Sequence, residues 1–314
     1  MANLHDERGR PRAAAPGGLL LTFAELAPAA APQTEWSHHC SACGKCCNSP
    51  PQLSVAELFQ HQDTFFGCLT VQRLQRPSAE QPALASGFDV LAGQLWHRLP
   101  NARPDTDDVL LATRGFDLGL SDRCPALDDA QRCSLHELGK PAICRVVPLD
   151  ALVPDREQHA VLHSRRAEAR YLGSDCIQPG VRPGFDLITR RLSVVDSEAQ
   201  AALAARRRDL ALERRTWGDA VFELLRADLF DAPAALERLP RDGFMTLSIV
   251  PVLMILARDP ALVARLRQYL AAQARLAEGL FARARSAGQA ELASVRQLTA
   301  FARSNAALAR QLKE

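Results

Sequence analysis

Four cysteines fall within eight residues in the run Cys40-Ser-Ala-Cys43-Gly-Lys-Cys46-Cys47, and this knot constrains the chain more than any other feature. Cysteines used only as core residues behave as small hydrophobes and need no such grouping. Thiolates two residues apart can turn onto one cation, because the intervening residues form a tight loop whose N–H groups also face the sulfurs. Gly44 supplies the freedom in φ that the loop needs. Cys47 adjoins Cys46, and neighbouring side chains rarely reach one small ion together, so Cys47 suits a second ion or the edge of a cluster.

Distal ligands are supplied further along, where Cys124, Cys133, Cys144 and Cys176 follow. Eight residues separate Cys124 from Cys133, and ten separate Cys133 from Cys144. The candidate ligand set is therefore Cys40, Cys43, Cys46, Cys47, Cys124, Cys133, Cys144 and Cys176. Eight thiols suit two four-cysteine sites, or one iron–sulfur cluster with ligands to spare, and the doubled C-x-x-C spacing is that of iron–sulfur ferredoxins. The ninth cysteine, Cys68, sits alone in Phe65-Phe66-Gly67-Cys68-Leu69 and reads as core. His38 and His39 precede the knot and are expected beside the site or at the surface. His136, between Cys133 and Cys144, is a further candidate, since imidazole suits zinc and iron. Lys45 and Arg145 adjoin ligand cysteines, where a cation would offset the negative charge of several thiolates.

Composition narrows the class. The 314 residues carry 38 basic and 36 acidic side chains, a formal net charge of +2, so no global field recruits nucleic acid or an anionic membrane. The longest apolar stretch, 244–257, contains Pro251 and falls short of the about 20 residues a spanning helix needs. It reads as a buried helix. Glu25 interrupts the short apolar run after Arg8, Arg10 and Arg12, which leaves no confident signal-peptide core. The expected compartment is the reducing cytoplasm, where nine cysteines persist as thiols or metal ligands.

The chain divides by composition into three parts. Residues 1–34 are an Ala/Pro-rich arm expected to be disordered. Residues 35–195 hold every cysteine with many Gly and Pro, and form the metal-binding domain. Residues 196–314 lack cysteine and are rich in helix formers. Ser54 with Glu57 marks a helix start, and Ser197 with Gln200 marks another. Leu203, Leu210, Trp217, Val221 and Leu224 then share one helical face, with Arg206, Arg207 and Arg208 turned to water. Further helices are expected between Pro260 and Gly288, and over Leu292 to Leu312 at near-heptad spacing. Val109-Leu-Leu-Ala-Thr and Cys144-Arg-Val-Val are short and β-branched enough to be strands. The fold class is α-rich α+β: a loop-rich cysteine-cluster domain with short strands, followed by a helical domain.

The ordered motifs Cys40-Ser-Ala-Cys43-Gly-Lys-Cys46-Cys47, Cys124-Pro-Ala-Leu, Cys133-Ser-Leu-His136 and Pro141-Ala-Ile-Cys144-Arg-Val-Val-Pro148, with the Cys176 segment, resemble the YkgJ-type cysteine-cluster family. Its C-x-x-C-x-x-C-C domain is described as zinc- or iron-chelating, and the resemblance spans roughly residues 36–185. It implies a metal-binding protein with the eight cysteines above as ligands. The related flagellin lysine N-methylases imply an alternative, a metal-dependent protein lysine methyltransferase using S-adenosylmethionine. Lys140-Pro141 stands where the family has Arg-Pro, Ala126 where an aromatic residue is frequent, and 76 residues separate Cys47 from Cys124. The readings are thus a zinc, iron or 4Fe–4S protein, that methyltransferase acting on a protein substrate, or a helical docking protein for a protein partner with a structural metal. Catalytic residues are not assigned, and no P-loop, nucleophile elbow or H-E-x-x-H motif is present.

Overall fold

A computed structural model describes residues 34–40, 44, 46–74, 82–99, 108–119, 123–167, 175–231, 239, 243–289 and 292–312. The arm expected to be disordered lies outside these residues except for its last position, as do Cys43 and Lys45.

Two antiparallel sheets organise the described residues. The larger contains β2 (Gly67–Leu74), β3 (His97–Arg98), β4 (Asp108–Gly115) and β8 (Met245–Ser248) in the order β3-β4-β2-β8. β2 and β4 pair over their full eight residues, from Gly67 opposite Gly115 to Leu74 opposite Asp108. β4 is buried along its whole length, so both faces of this pair are covered. Leu69 and Val71 pack with Leu58, Trp217, Val252, Leu253 and Tyr269 in the main core. Cys68 faces the opposite side among Phe66, Phe116, Leu298 and Phe301, fully buried as expected of a core residue.

The smaller sheet joins β1 (Trp36–His38), β5 (Ile177–Pro179), β6 (Asp186–Arg190) and β7 (Ser193–Val194) in the order β5-β1-β6-β7. A second core gathers against it, with Trp36, Ile177, Ile188 and Val194 packed among Trp96, Leu152, Leu162, Leu203 and Leu210.

Helices fill the remainder: α1 (Val55–Gln60), α2 (Pro82–Leu95), α3 (His136–Gly139), α4 (Ala142–Val146), α5 (Gln158–Ala167) and α6 (Ser197–Glu213), then α7 (Asp219–Leu225), α8 (Val250–Leu256), α9 (Pro260–Ser286) and α10 (Ala293–Gln311). The expected stripes on α9 and α10 are present, with Leu266, Tyr269 and Gln273 buried on one and Val295, Leu298, Phe301 and Leu308 on the other. Ser54 and Glu57 form the reciprocal capping box that starts α1. At Gly67 an added Cβ would stand 2.0 Å from the Tyr269 hydroxyl, so glycine lets α9 approach the start of β2.

Five local expectations are corrected. Cys144-Arg-Val is not a strand but lies in α4, because Pro141 begins a helical turn and accepts hydrogen bonds from the Cys144 and Arg145 N–H groups. Residues 244–257 hold β8 and then α8, since the free edge of β2 takes up Met245–Ser248. Asp196, not Ser197, caps α6, its side chain accepting from Ala199 N–H. Arg206 is buried at 1% exposure on the Leu203–Leu210 stripe, with its guanidinium donating to Gln52. Beyond α6, a π-helical segment at Arg214–Gly218 shifts the buried face. Trp217 and Val221 therefore stay inside while Leu224 is 56% exposed. No described helix is long and apolar enough to cross a membrane.

Candidate metal centre

The residues around Cys124 fold into a tight hairpin. Cys124 C=O accepts from Leu127 N–H, Ala126 C=O accepts from the Ser134 N–H and hydroxyl, and Leu127 bridges Cys133. Asp128 closes the tip by accepting from Arg132 N–H, while Gln131 turns through φ 61°. The eight-residue spacing is thus the length of a closed hairpin, with Cys124 and Cys133 at its mouth.

The knot docks on this hairpin. Cys124 N–H donates to Cys47 C=O at 2.6 Å, and Cys47 N–H donates to Gly44 C=O at 2.9 Å. Gly44 holds φ +71°, and a Cβ there would lie 3.1 Å from the Gln131 side-chain oxygen. Cys46 and Cys47 bring their sulfurs to 4.0 Å. After the hairpin, α3 and Pro141 lead the chain into α4 and Cys144.

Electrostatics describe the same convergence. Burial pushes the Cys144 thiol up to about 12, with further upward effects from Cys124, Cys133 and Cys46. Burial likewise raises Cys124 to about 11, with Cys133 and Cys46 adding to the rise. Cys46 is raised first by its hydrogen bond with Cys47 and then by burial. Thiols from three separate segments thus feel one another: Cys46 and Cys47, Cys124 and Cys133, and Cys144. All five are free of disulfides, as is Cys40.

Cys40 and Cys176 are placed by strand pairing. β1 pairs with β5 with His38 opposite Ile177, and one step further His39 N–H donates to Cys176 C=O at 3.0 Å. Cys40 is exposed and Cys176 buried at that end of the sheet. His39 is exposed and packs on Phe185. Burial and then the Lys140 charge lower His38 to about 4. His136 is exposed at the start of α3.

Among the described residues, Lys140 is the cation whose charge lowers both Cys46 and Cys144. Spacing had pointed to Lys45 and Arg145. Lys45 lies outside the described residues, and Arg145 is exposed and acts on Asp209. Sequence reading thus missed Lys140, which appeared there only as a departure before Pro141. It also missed the role of Glu57 beyond α1, for which Ser54-x-x-Glu57 was the available signal.

Among the described residues, no three His, Cys, Asp or Glu side chains are arranged so that they could hold one ion. The donor chemistry nevertheless suits a soft or borderline cation. Burial without a counter-charge disfavours the thiolate forms of Cys124 and Cys144, a balance that a bound cation would reverse.

Residues 39–168 match the family model CxxCxxCC, described as "Putative zinc- or iron-chelating domain". The match takes in seven of the eight candidate ligands and ends before Cys176. No curated protein and no solved structure matches the chain.

Proposed function

We propose that the chain is a metal-binding protein of the cytoplasm whose centre holds zinc or an iron–sulfur cluster. Its ligands are drawn from Cys40, Cys43, Cys46, Cys47, Cys124, Cys133, Cys144 and Cys176. The observation that supports this reading is that Cys46 with Cys47, Cys124 with Cys133, and Cys144, on three segments distant in sequence, lie within electrostatic range of one another. A hydrophobic core can use cysteines as small apolar residues but has no need to group them, whereas thiolate ligation does.

A bound metal would supply positive charge that stabilises the thiolates of the knot, the hairpin and α4. The chain's own residues do the rest. The Cys47–Cys124 backbone hydrogen bond fixes the knot to the hairpin mouth. Lys140 offsets thiolate charge at Cys46 and Cys144. Zinc matches four thiolates per ion, while iron–sulfur chemistry uses the same ligand type with added sulfide.

Anaerobic purification followed by zinc, iron and acid-labile sulfide analysis tests the reading and separates its two forms. Stoichiometric zinc in a colourless protein supports the zinc form, and a brown protein with iron and sulfide in equal amounts supports the cluster. Cys124→Ser is expected to lose most of the metal in either case. Purified wild-type chain that holds neither metal, and takes up neither on reconstitution, would overturn the proposal.

A further inference from the structure

Glu57 stands at the junction between α1 and the cysteine-bearing α4. Its Oε2 accepts from Ser54 N–H at 2.8 Å and from the Ser54 hydroxyl at 3.1 Å, which completes the α1 cap. Its Oε1 crosses to a segment 85 residues away and accepts from Ala142 N–H at 2.6 Å. Ala142 is the first residue of α4, and the peptide that carries its N–H has the Pro141 carbonyl at the other end. That carbonyl accepts from Cys144 N–H at 2.9 Å. A single peptide unit is thus held by Glu57 on one side and holds Cys144 on the other.

The neighbouring geometry repeats the docking. A Cβ on Gly139 would lie 2.9 Å from Gln60 Nε2 at the end of α1, so the 139–144 segment runs along α1. α1 is itself fixed from the helical half, where Glu213 Oε1 accepts from Val55 N–H at 2.6 Å. The Coulomb effect of Glu57 on both Glu213 and Asp209 places these carboxylates at one junction.

We infer that Glu57 is a positioning residue for the Cys144 thiol, one carboxylate capping α1 and orienting the peptide that sets Cys144 toward Cys46, Cys124 and Cys133. The inference rests on the metal-binding reading for its consequence but not for its geometry. Ligand-orienting hydrogen bonds of this kind typically change metal affinity about 10–100-fold when removed. Glutamine has one acceptor oxygen where glutamate has two, so Glu57→Gln turns an N–H donor against one of the two ends. Aspartate keeps the charge but is one methylene too short to span both helices.

The test compares Glu57→Gln, Glu57→Asp, Ser54→Ala and Cys144→Ser in the full chain. In the metal-free protein, iodoacetamide labelling is followed cysteine by cysteine by mass spectrometry. Both Glu57 variants are expected to raise the labelling rate of Cys144 relative to Cys133 about tenfold by local opening at α4. Ser54→Ala weakens the α1 cap and should leave that ratio unchanged. With Co²⁺ as the probe, the Glu57 variants should bind about 10–100-fold more weakly while keeping their thiolate charge-transfer absorption. An unchanged Cys144:Cys133 ratio in both Glu57 variants, or an equal rise in Ser54→Ala, would overturn the role. If Cys144→Ser binds Co²⁺ as tightly as wild type, Cys144 is not a ligand and the metal assignment fails there, while the labelling ratio still decides for or against Glu57.

Discussion

Glu213 shows how much a single side chain carries at the boundary between the cysteine-bearing and helical regions. Burial, the largest cause, raises its carboxyl from an ordinary 4.5 to about 7, despite the opposing Val55 N–H and Arg206. The folded chain therefore retains a proton that the unfolded chain releases between these two values. This contribution to stability is complete below the unfolded value and is lost as pH rises through about 7. Glu213→Gln keeps an acceptor for Val55 and removes the titration. Urea unfolding of both chains is expected to show wild type losing about 3 kcal/mol relative to the variant between pH 4.5 and 8. The cysteines are common to both chains, so their own titration cancels in the difference. A difference that does not vary with pH would remove Glu213 as the titrating group. Side chains of this kind are the least legible in a sequence: Arg206 was read as solvated because arginine usually is, yet it is buried, donates to Gln52 and lies within range of the Glu213 carboxyl.

At the scale of elements, α9 is tied to β2 by one side chain. Gln273 accepts from Gly67 N–H at 2.7 Å and donates to Gln62 C=O and Phe65 C=O at 2.8 and 3.1 Å. Three backbone groups, two of them fully buried, thus depend on one amide. Gln273→Leu is expected to lower the unfolding free energy by about 3 kcal/mol, read from the urea midpoint, because those groups would lose their partners. A change below about 0.5 kcal/mol would mean that they find other partners. The long helices were legible because their apolar positions recur for several turns, and Val109-Leu-Leu-Ala-Thr because it is short and β-branched. The apolar run at 244–257 and the Cys144 segment were not. A run of a few apolar residues fits strand and helix equally, and only the free edge of β2 and the turn at Pro141 decide between them. Glu57 was readable as a cap, but its bond to Ala142 spans 85 residues and leaves no local trace.

In the whole molecule, the cysteine-bearing elements and the late helices share interior. Leu135, Ala126 and Cys124 belong to the same core as Trp217, Leu253 and Tyr269, so the hairpin that presents two thiols rests on residues from the C-terminal third. The cysteines announced their chemistry by number and spacing, while the order in which the fold assembles them required the hairpin, the knot and α4 together. X-ray absorption at the metal edge of the reconstituted full-length protein tests this assembly most directly. The predicted result is a first shell made only of sulfur at about 2.3 Å, the distance of thiolate ligation, with intensity lost in Cys46→Ser, Cys124→Ser and Cys144→Ser alike. A first shell of nitrogen and oxygen, or one indifferent to all three substitutions, would contradict a metal centre built from these converging thiols.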